Sequence, residues 1–137
     1  MRLLFPAALI LAGGMAVSSC STSFAQPQPT ARAAQELAAA VAGRTQGRPV
    51  DCLPSYRTAH QRVIDDWTIL YRDGRTVYVQ HPRGGCRGIG NGGYTLVARL
   101  HGTNRLCSGD IYQLVDLRTG IGGGACVFGP FVPYTKG

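Results

Sequence analysis

Charge is scarce in this chain. Asp, Glu, Lys and Arg make up only 15% of its 137 residues, against 45% hydrophobic ones. That balance excludes a disordered polyampholyte. Lysine is nearly missing: every basic residue but Lys136 is arginine. The arginines are scattered, with no basic run or tail, so nucleic acid is not an expected partner. Apart from one run near the front, no stretch is apolar enough to span a bilayer, which excludes a multi-span membrane protein. No Gly-x-Ser-x-Gly is present, and no Ser has a visible His–Asp setting. His60, His81 and His101 include no pair at short metal-ligand spacing. No internal repeat is visible. The chain therefore reads as a non-enzyme with no cofactor and no metal.

What is present starts with a leader. Met1-Arg2 gives a short positive start, Leu3 to Val17 is almost wholly apolar, and small residues follow. This is the layout of a secretory signal peptide, and Pro6, Gly13 and Gly14 argue against a membrane-anchoring helix. Two cleavage sites compete. Val17-Ser18-Ser19-Cys20 is similar to the lipobox of bacterial lipoproteins, in which the Cys is acylated and becomes the new N-terminus. Ser23-Phe24-Ala25 followed by Gln26 suits ordinary signal peptidase and would release a soluble periplasmic protein. The place of Cys20, directly after the apolar run, favours lipidation. By resemblance to the lipoprotein sorting rule, Ser21 at the next position points to the outer membrane, with the domain facing the periplasm.

The five cysteines fit that reading. Either cut leaves four unlipidated cysteines: Cys52, Cys86, Cys107 and Cys126. An even set in an oxidising compartment implies two disulfides. Three pairings are open. The expected one joins Cys86 to Cys107 and Cys52 to Cys126. The first pair flanks a hairpin-like unit, and the second ties the first strand to the last.

The organisation follows in three parts: a leader over 1–19, a lipid-anchored tether over 20–49, and a β domain over 50–137. Residues 21–30 are polar and Pro-containing, a flexible tether. Ala31 to Ala42 is Ala-rich, with Ala33, Leu37 and Val41 on one weak stripe, and Gly43 as a stop. A helix this short is marginal in water, so it packs on the domain or frays. Beyond Pro49 the pattern turns to strands. The clearest is a hairpin from Trp67 to Gln80 around Asp73-Gly74. Its expected register pairs Arg72 with Arg75 and Leu70 with Val77. One face carries Leu70, Val77 and Val79, and the other carries Trp67, Ile69, Tyr71 and Tyr78. Both faces are apolar, so the hairpin is expected at the centre of a sheet, covered on each side. Tyr94 to His101 and Asp110 to Leu117 are further strands, the latter with Ile111, Val115 and Leu117 alternating. Ala125 to Phe128 is a short one, and Val50 to Leu53 and Arg62 to Ile64 are weaker. The expected fold is all-β: a small disulfide-stapled barrel or sandwich. A core this small supplies about 3–5 kcal/mol net, so disulfides worth ~2–4 kcal/mol each matter.

An ordered series runs through the domain. It comprises Cys52, Val63-Ile-Asp-Asp-Trp-Thr-Ile-Leu-Tyr71, Asp73-Gly-Arg75, Pro82-Arg-Gly-Gly-Cys86, Leu106-Cys107-x-x-Asp110-Ile111 and Cys126-Val-Phe-Gly-Pro-Phe131. The series resembles a family of small exported proteobacterial proteins with no assigned activity. It covers roughly Cys52 to Pro133. It departs from the family at Trp67, often a polar residue there, and in its longer Gly-rich connections. The resemblance implies a compact exported domain and brings no catalytic residues.

The remaining motifs have ordinary readings. Gly88-Ile-Gly90-Asn-Gly-Gly93 and Gly120-Ile-Gly122-Gly-Gly-Ala125 match dinucleotide fingerprints in form, but strands rather than helices are expected after them. Asp65, Asp66 and Asp110 are expected to make turn hydrogen bonds and pair with arginine. Trp67, Tyr71 and Tyr78 form an aromatic binding surface if their face is open, and core if it is not. The formal net charge of +7 falls by one when Arg2 leaves with the leader. That sign suits an anionic envelope surface. The expected function is a lipid-anchored binding or structural module with a protein or anionic-surface partner. The rivals are a hydrolase inhibitor and an enzyme using Asp66, Asp110 or His81.

Overall fold

A computed structural model describes residues 29–99 and 102–137. The leader, Cys20, Ser21, the Ala25 site, His101 and the end of the 94–101 strand lie outside these residues.

The chain enters through helix α1 (Ala31–Val41). Thr30 caps it: its Oγ1 accepts the Ala33 N–H at 3.2 Å, satisfying one of the free donors of the first turn. Strands β1 (Thr45–Gln46) and β2 (Cys52–Pro54) follow, then a 3-10 turn (Ser55–Thr58) and β3 (Gln61–Asp65). Next come β4 (Thr68–Asp73), β5 (Thr76–Gln80), a second 3-10 turn (Ile89–Asn91), β6 (Tyr94–Ala98) and β7 (Arg105–Cys107). The chain closes with β8 (Ile111–Asp116), β9 (Gly122–Val127) and β10 (Phe131–Thr135).

Three sheets result. The largest has the order β1-β10-β5-β4-β3, the second pairs β2 with β7, and the third runs β6-β8-β9. The fold is mostly β, as the alternation of the sequence requires, but the sheets do not close into a barrel. The ordered body also starts earlier than expected. Thr45 and Gln46, placed in the tether by sequence, pair with Thr135 and Tyr134 of β10.

The β4–β5 hairpin is central, with β3 on one side and β10 on the other. Its register differs from expectation by two residues: Asp73 pairs with Thr76, Arg72 with Val77, and Leu70 with Val79. The turn is therefore Gly74-Arg75, not Asp73-Gly74. Gly74 has φ +53, and glycine at the first central position is what a type II′ turn needs. A slip of two leaves every side chain on its original face. Hence both faces match the sequence pattern except for Trp67, which lies in the turn before β4, and both are covered.

Leu70, Val77 and Val79 form one apolar cluster, roofed by Leu37, Ala40 and Val41 of α1. The helix thus packs on the domain. Glu36 ties it to β3 through Arg62 at 2.8 Å and pairs within the helix with Arg32 at 2.9 Å. The opposite face holds Ile69, Tyr71 and Tyr78 in the main core with Leu53, Leu106, Tyr112, Leu114, Phe128 and Phe131. Side chains from all three sheets meet there. Tyr71 and Phe131 contact edge-on at 5.6 Å between centroids.

The buried face of β8 is the reverse of the expected one. Tyr112 and Leu114 point inward, while Ile111 is 57% and Leu117 63% exposed. The strand is apolar on both faces, and burial of the larger Tyr112 decides the orientation. Strand β10 was not foreseen, because Pro130 and Pro133 break a strand pattern. Pro133 is tolerated for a geometric reason. A residue in a strand points its N and C=O to the same side. The Pro133 carbonyl accepts Gly47 N–H at 2.8 Å, on the side where β1 has already ended. The missing N–H therefore costs β10 nothing in its ladder with β5.

Four cysteines form two disulfides, but not in the expected pairing. Cys52 joins Cys107, and Cys86 joins Cys126. Cys52 and Cys107 are directly opposed in the β2–β7 ladder. Cys126 faces the core beside Tyr112, its partner in β8, and there meets Cys86 of the Gly-rich loop. The expected pairing treated the 94–101 strand as a closed hairpin unit. In fact β6 pairs with β8, and β7 leaves to pair with β2. Two disulfides in so small a domain mark an oxidising compartment. Among the described residues, no helix is long and apolar enough to cross a membrane.

Candidate functional site

The aromatic surface does not exist as an open platform. Tyr71 is 0% and Tyr78 7% exposed, both inside the core. Trp67 is separate from them, in the turn between β3 and β4. Its indole lies against Gly85, where a β-carbon would sit 2.8 Å from the ring. Trp67 thus packs on the Gly-rich loop next to Cys86.

The carboxylates singled out in the sequence are taken up by backbone donors. Asp66 accepts Gly88 N–H at 2.9 Å and Gly90 N–H at 2.8 Å, one on each oxygen. The first glycine fingerprint therefore cradles an anion, and the anion is the protein's own. That fingerprint contains a 3-10 turn (Ile89–Asn91) and leads directly into β6, and the second glycine run leads into β9, which begins at Gly122. Neither opens a helix onto a phosphate. Asp65 accepts Trp67 N–H at 2.9 Å, and Asp110 accepts Cys107 N–H at 2.7 Å. His81 Nδ1 lies 2.9 Å from the Trp67 carbonyl. Asp66, Asp110 and His81 line three different depressions. Among the described residues, no three His, Cys, Asp or Glu side chains group as a metal set.

A buried polar chain crosses the core. Tyr112 Oη donates to Gln80 Oε1 at 3.2 Å, and Tyr71 Oη donates in turn to Tyr112 Oη. Gln80 is fully buried. Burial pushes the Tyr71 hydroxyl well above its ordinary range. Burial, with the neighbouring Tyr71, does the same to Tyr112. Both therefore stay protonated, as hydrogen-bond donors between β4, β5 and β8. Sequence reading missed this set, since it put Tyr112 on the face opposite Ile111, Val115 and Leu117 and assigned Gln80 to neither face of the hairpin.

The concave surface lies beside α1. An 11-residue, Ala-rich helix is slim for a five-stranded sheet, and it leaves a cleft on each flank. The larger, about 680 Å³, runs between Ala39 and Ala40 of α1 and Ala59 and Gln61, above Leu70 and Val77, which the helix already buries. His60, Arg62 and Arg72 stand around it with Glu36. The smaller, about 350 Å³, lies toward Tyr134 and His81. Sequence reading missed the larger cleft, because its rim comes from residues that read singly as solvated charges.

Comparison of the chain with protein-family models, with curated proteins and with solved structures gave no match.

Proposed function

We propose that this chain is an exported, lipid-anchored, non-enzymatic binding module of the bacterial envelope. The observation that carries the reading is the pair of closed disulfides, Cys52–Cys107 and Cys86–Cys126. Thiols in these positions would be held reduced in a cytosol. The charged leader, its apolar run and the lipobox ending at Cys20 supply the route and the anchor. Ser21 supports the outer membrane as address. The ordered series from Cys52 to Phe131 supports membership of the exported family that it resembles. The non-enzymatic part rests on the carboxylates: Asp65, Asp66 and Asp110 each serve a backbone N–H. A tether of about ten residues before α1 has a typical reach of ~16–19 Å. That holds the domain close to the membrane surface, where its positive balance meets anionic headgroups.

Cell fractionation tests the anchor. The native protein is expected with the membranes, and Cys20→Ala in the soluble fraction or uncleaved. Native protein found wholly soluble, with its N-terminus at Gln26, overturns the anchor and leaves a soluble periplasmic module.

A further inference from the structure

We infer that the turn between β8 and β9 is a membrane-contacting tip: Leu117 and Ile121 enter an anionic phospholipid surface, and Arg118 takes a headgroup phosphate. The inference rests on the lipid-anchor reading and names the part of the anchored domain that lies on the bilayer.

The side chains of this turn face water. Leu117 is 63% and Ile121 69% exposed. Arg118 is exposed too and has no ion-pair partner among the described residues. Aliphatic side chains flanking a cation suit the boundary between acyl chains and anionic headgroups. The turn is built rather than slack. Asp116 Oδ1 accepts the N–H groups of Arg118 and Thr119, each at 2.8 Å. The Asp116 carbonyl accepts Gly120 N–H at 2.8 Å, and its N–H donates to the Ile121 carbonyl at 2.9 Å. Gly120, at φ +70, closes the loop. The two aliphatics are therefore held outward, with little left to order on contact. The one carboxylate of the turn is engaged by the turn's own donors.

Position decides the occupant. Nine residues, Cys20 to Gln28, separate the lipidated cysteine from Pro29, the first described residue. The tether's reach of ~16–19 Å is about half the ~30 Å width of a domain of about 100 residues. The end that carries Pro29 therefore meets the bilayer. Pro29 lines one depression with Gly90 and Asn91. Close by along the chain, the Gly93 carbonyl accepts Leu117 N–H at 3.0 Å. The apolar tip thus stands at the end where the tether enters. Tyr56, also 69% exposed, belongs to the other end. Its neighbour Arg57 pairs with Asp73, beside the β4–β5 turn, whereas Pro29 shares a depression with Thr68 and His81 at the open end of that hairpin. A tip of two aliphatic side chains falls far short of the ~800 Å² per partner that a stable protein interface buries. A bilayer requires no complementary shape, and the chain's positive balance suits anionic headgroups.

Co-sedimentation with vesicles tests this, using the mature chain with Cys20→Ser so that no acyl chain contributes. On phosphatidylethanolamine–phosphatidylglycerol vesicles, half-binding is expected at ~1 mM lipid. Leu117→Ser/Ile121→Ser should weaken it about tenfold or more. Arg118→Gln should weaken it about fivefold there and have no effect on phosphatidylcholine vesicles. Tyr56→Ser should bind like the native chain. Thermal melts verify that the variants fold. No binding of the native chain up to ~10 mM lipid overturns the inference. Binding that the tip variants leave unchanged, or that Tyr56→Ser weakens equally, overturns it as well. Self-association lost in Leu117→Ser/Ile121→Ser assigns the tip to a second copy and overturns it too. Because the tested chain carries no lipid, failure here leaves the fractionation test of the anchor standing, and failure of the anchor leaves the vesicle result readable.

Discussion

The two disulfides differ in a way that decides their relative worth. Cys52–Cys107 spans 55 residues and Cys86–Cys126 spans 40. Loop entropy alone gives each about 4 kcal/mol and favours the longer loop by only ~0.3 kcal/mol. Burial works the other way. Cys86 is 1% and Cys126 5% exposed, whereas Cys52 and Cys107 are half-buried. Replacing both core cysteines with alanine also leaves space beside Tyr112 and Phe128, at roughly 1 kcal/mol per deleted sulfur. The burial effect wins. Cys86→Ala/Cys126→Ala should therefore be less stable than Cys52→Ala/Cys107→Ala by about 1–2 kcal/mol. Urea unfolding measures the difference, followed by Trp67 fluorescence, since Trp67 packs on the loop carrying Cys86. Where a variant does not fold, stepwise reduction of the native protein gives the same order, with the half-buried Cys52–Cys107 bond opening first. Equal stabilities, or the Cys52/Cys107 variant the weaker, would refute the reasoning.

Two further substitutions follow. Asp66→Ala removes the acceptor for Gly88 and Gly90, two charge-assisted bonds. It should cost about 2–3 kcal/mol and speed amide exchange at those two glycines first; unchanged exchange there contradicts the cradle. The buried tyrosines set the alkaline limit. Folded Tyr71 and Tyr112 keep their protons above the ordinary tyrosine range, while the unfolded chain releases them near pH 10. The native state then binds more protons, so the stability from these groups is full below pH ~10 and is lost as pH rises beyond it. A tyrosinate absorbance titration should show these two ionising only with unfolding, and Tyr71→Phe should shift the alkaline midpoint. Reversible ionisation of all six tyrosines in the folded protein would contradict this.

The sequence disclosed those parts of the fold that local pattern controls. The faces of the β4–β5 hairpin survived a wrong turn register, because a slip of two preserves alternation. The helix and its stripe lie where composition put them, while its capping Thr30 was read only as the end of the tether. What was hidden depended on contacts distant in sequence. Cys107 faces Cys52 because β7 leaves its neighbours for β2, and nothing near either cysteine announces that pairing. Strand β10 hides behind Pro133, whose missing donor falls past the end of β1. The aromatic set from Trp67 to Tyr78 was read with both outcomes open, and burial of Tyr71 and Tyr78 chose the core. The cleft beside α1 was invisible, because it is a shortfall of helix over sheet rather than a motif.

The account rests on export with closed thiols, and intact mass of the mature protein with alkylation tests it most directly. The expected result is an N-terminus at acylated Cys20, no tag before reduction, and four tags after it, mapped to Cys52–Cys107 and Cys86–Cys126. A leader still attached, with all five cysteines tagged without reductant, would contradict it.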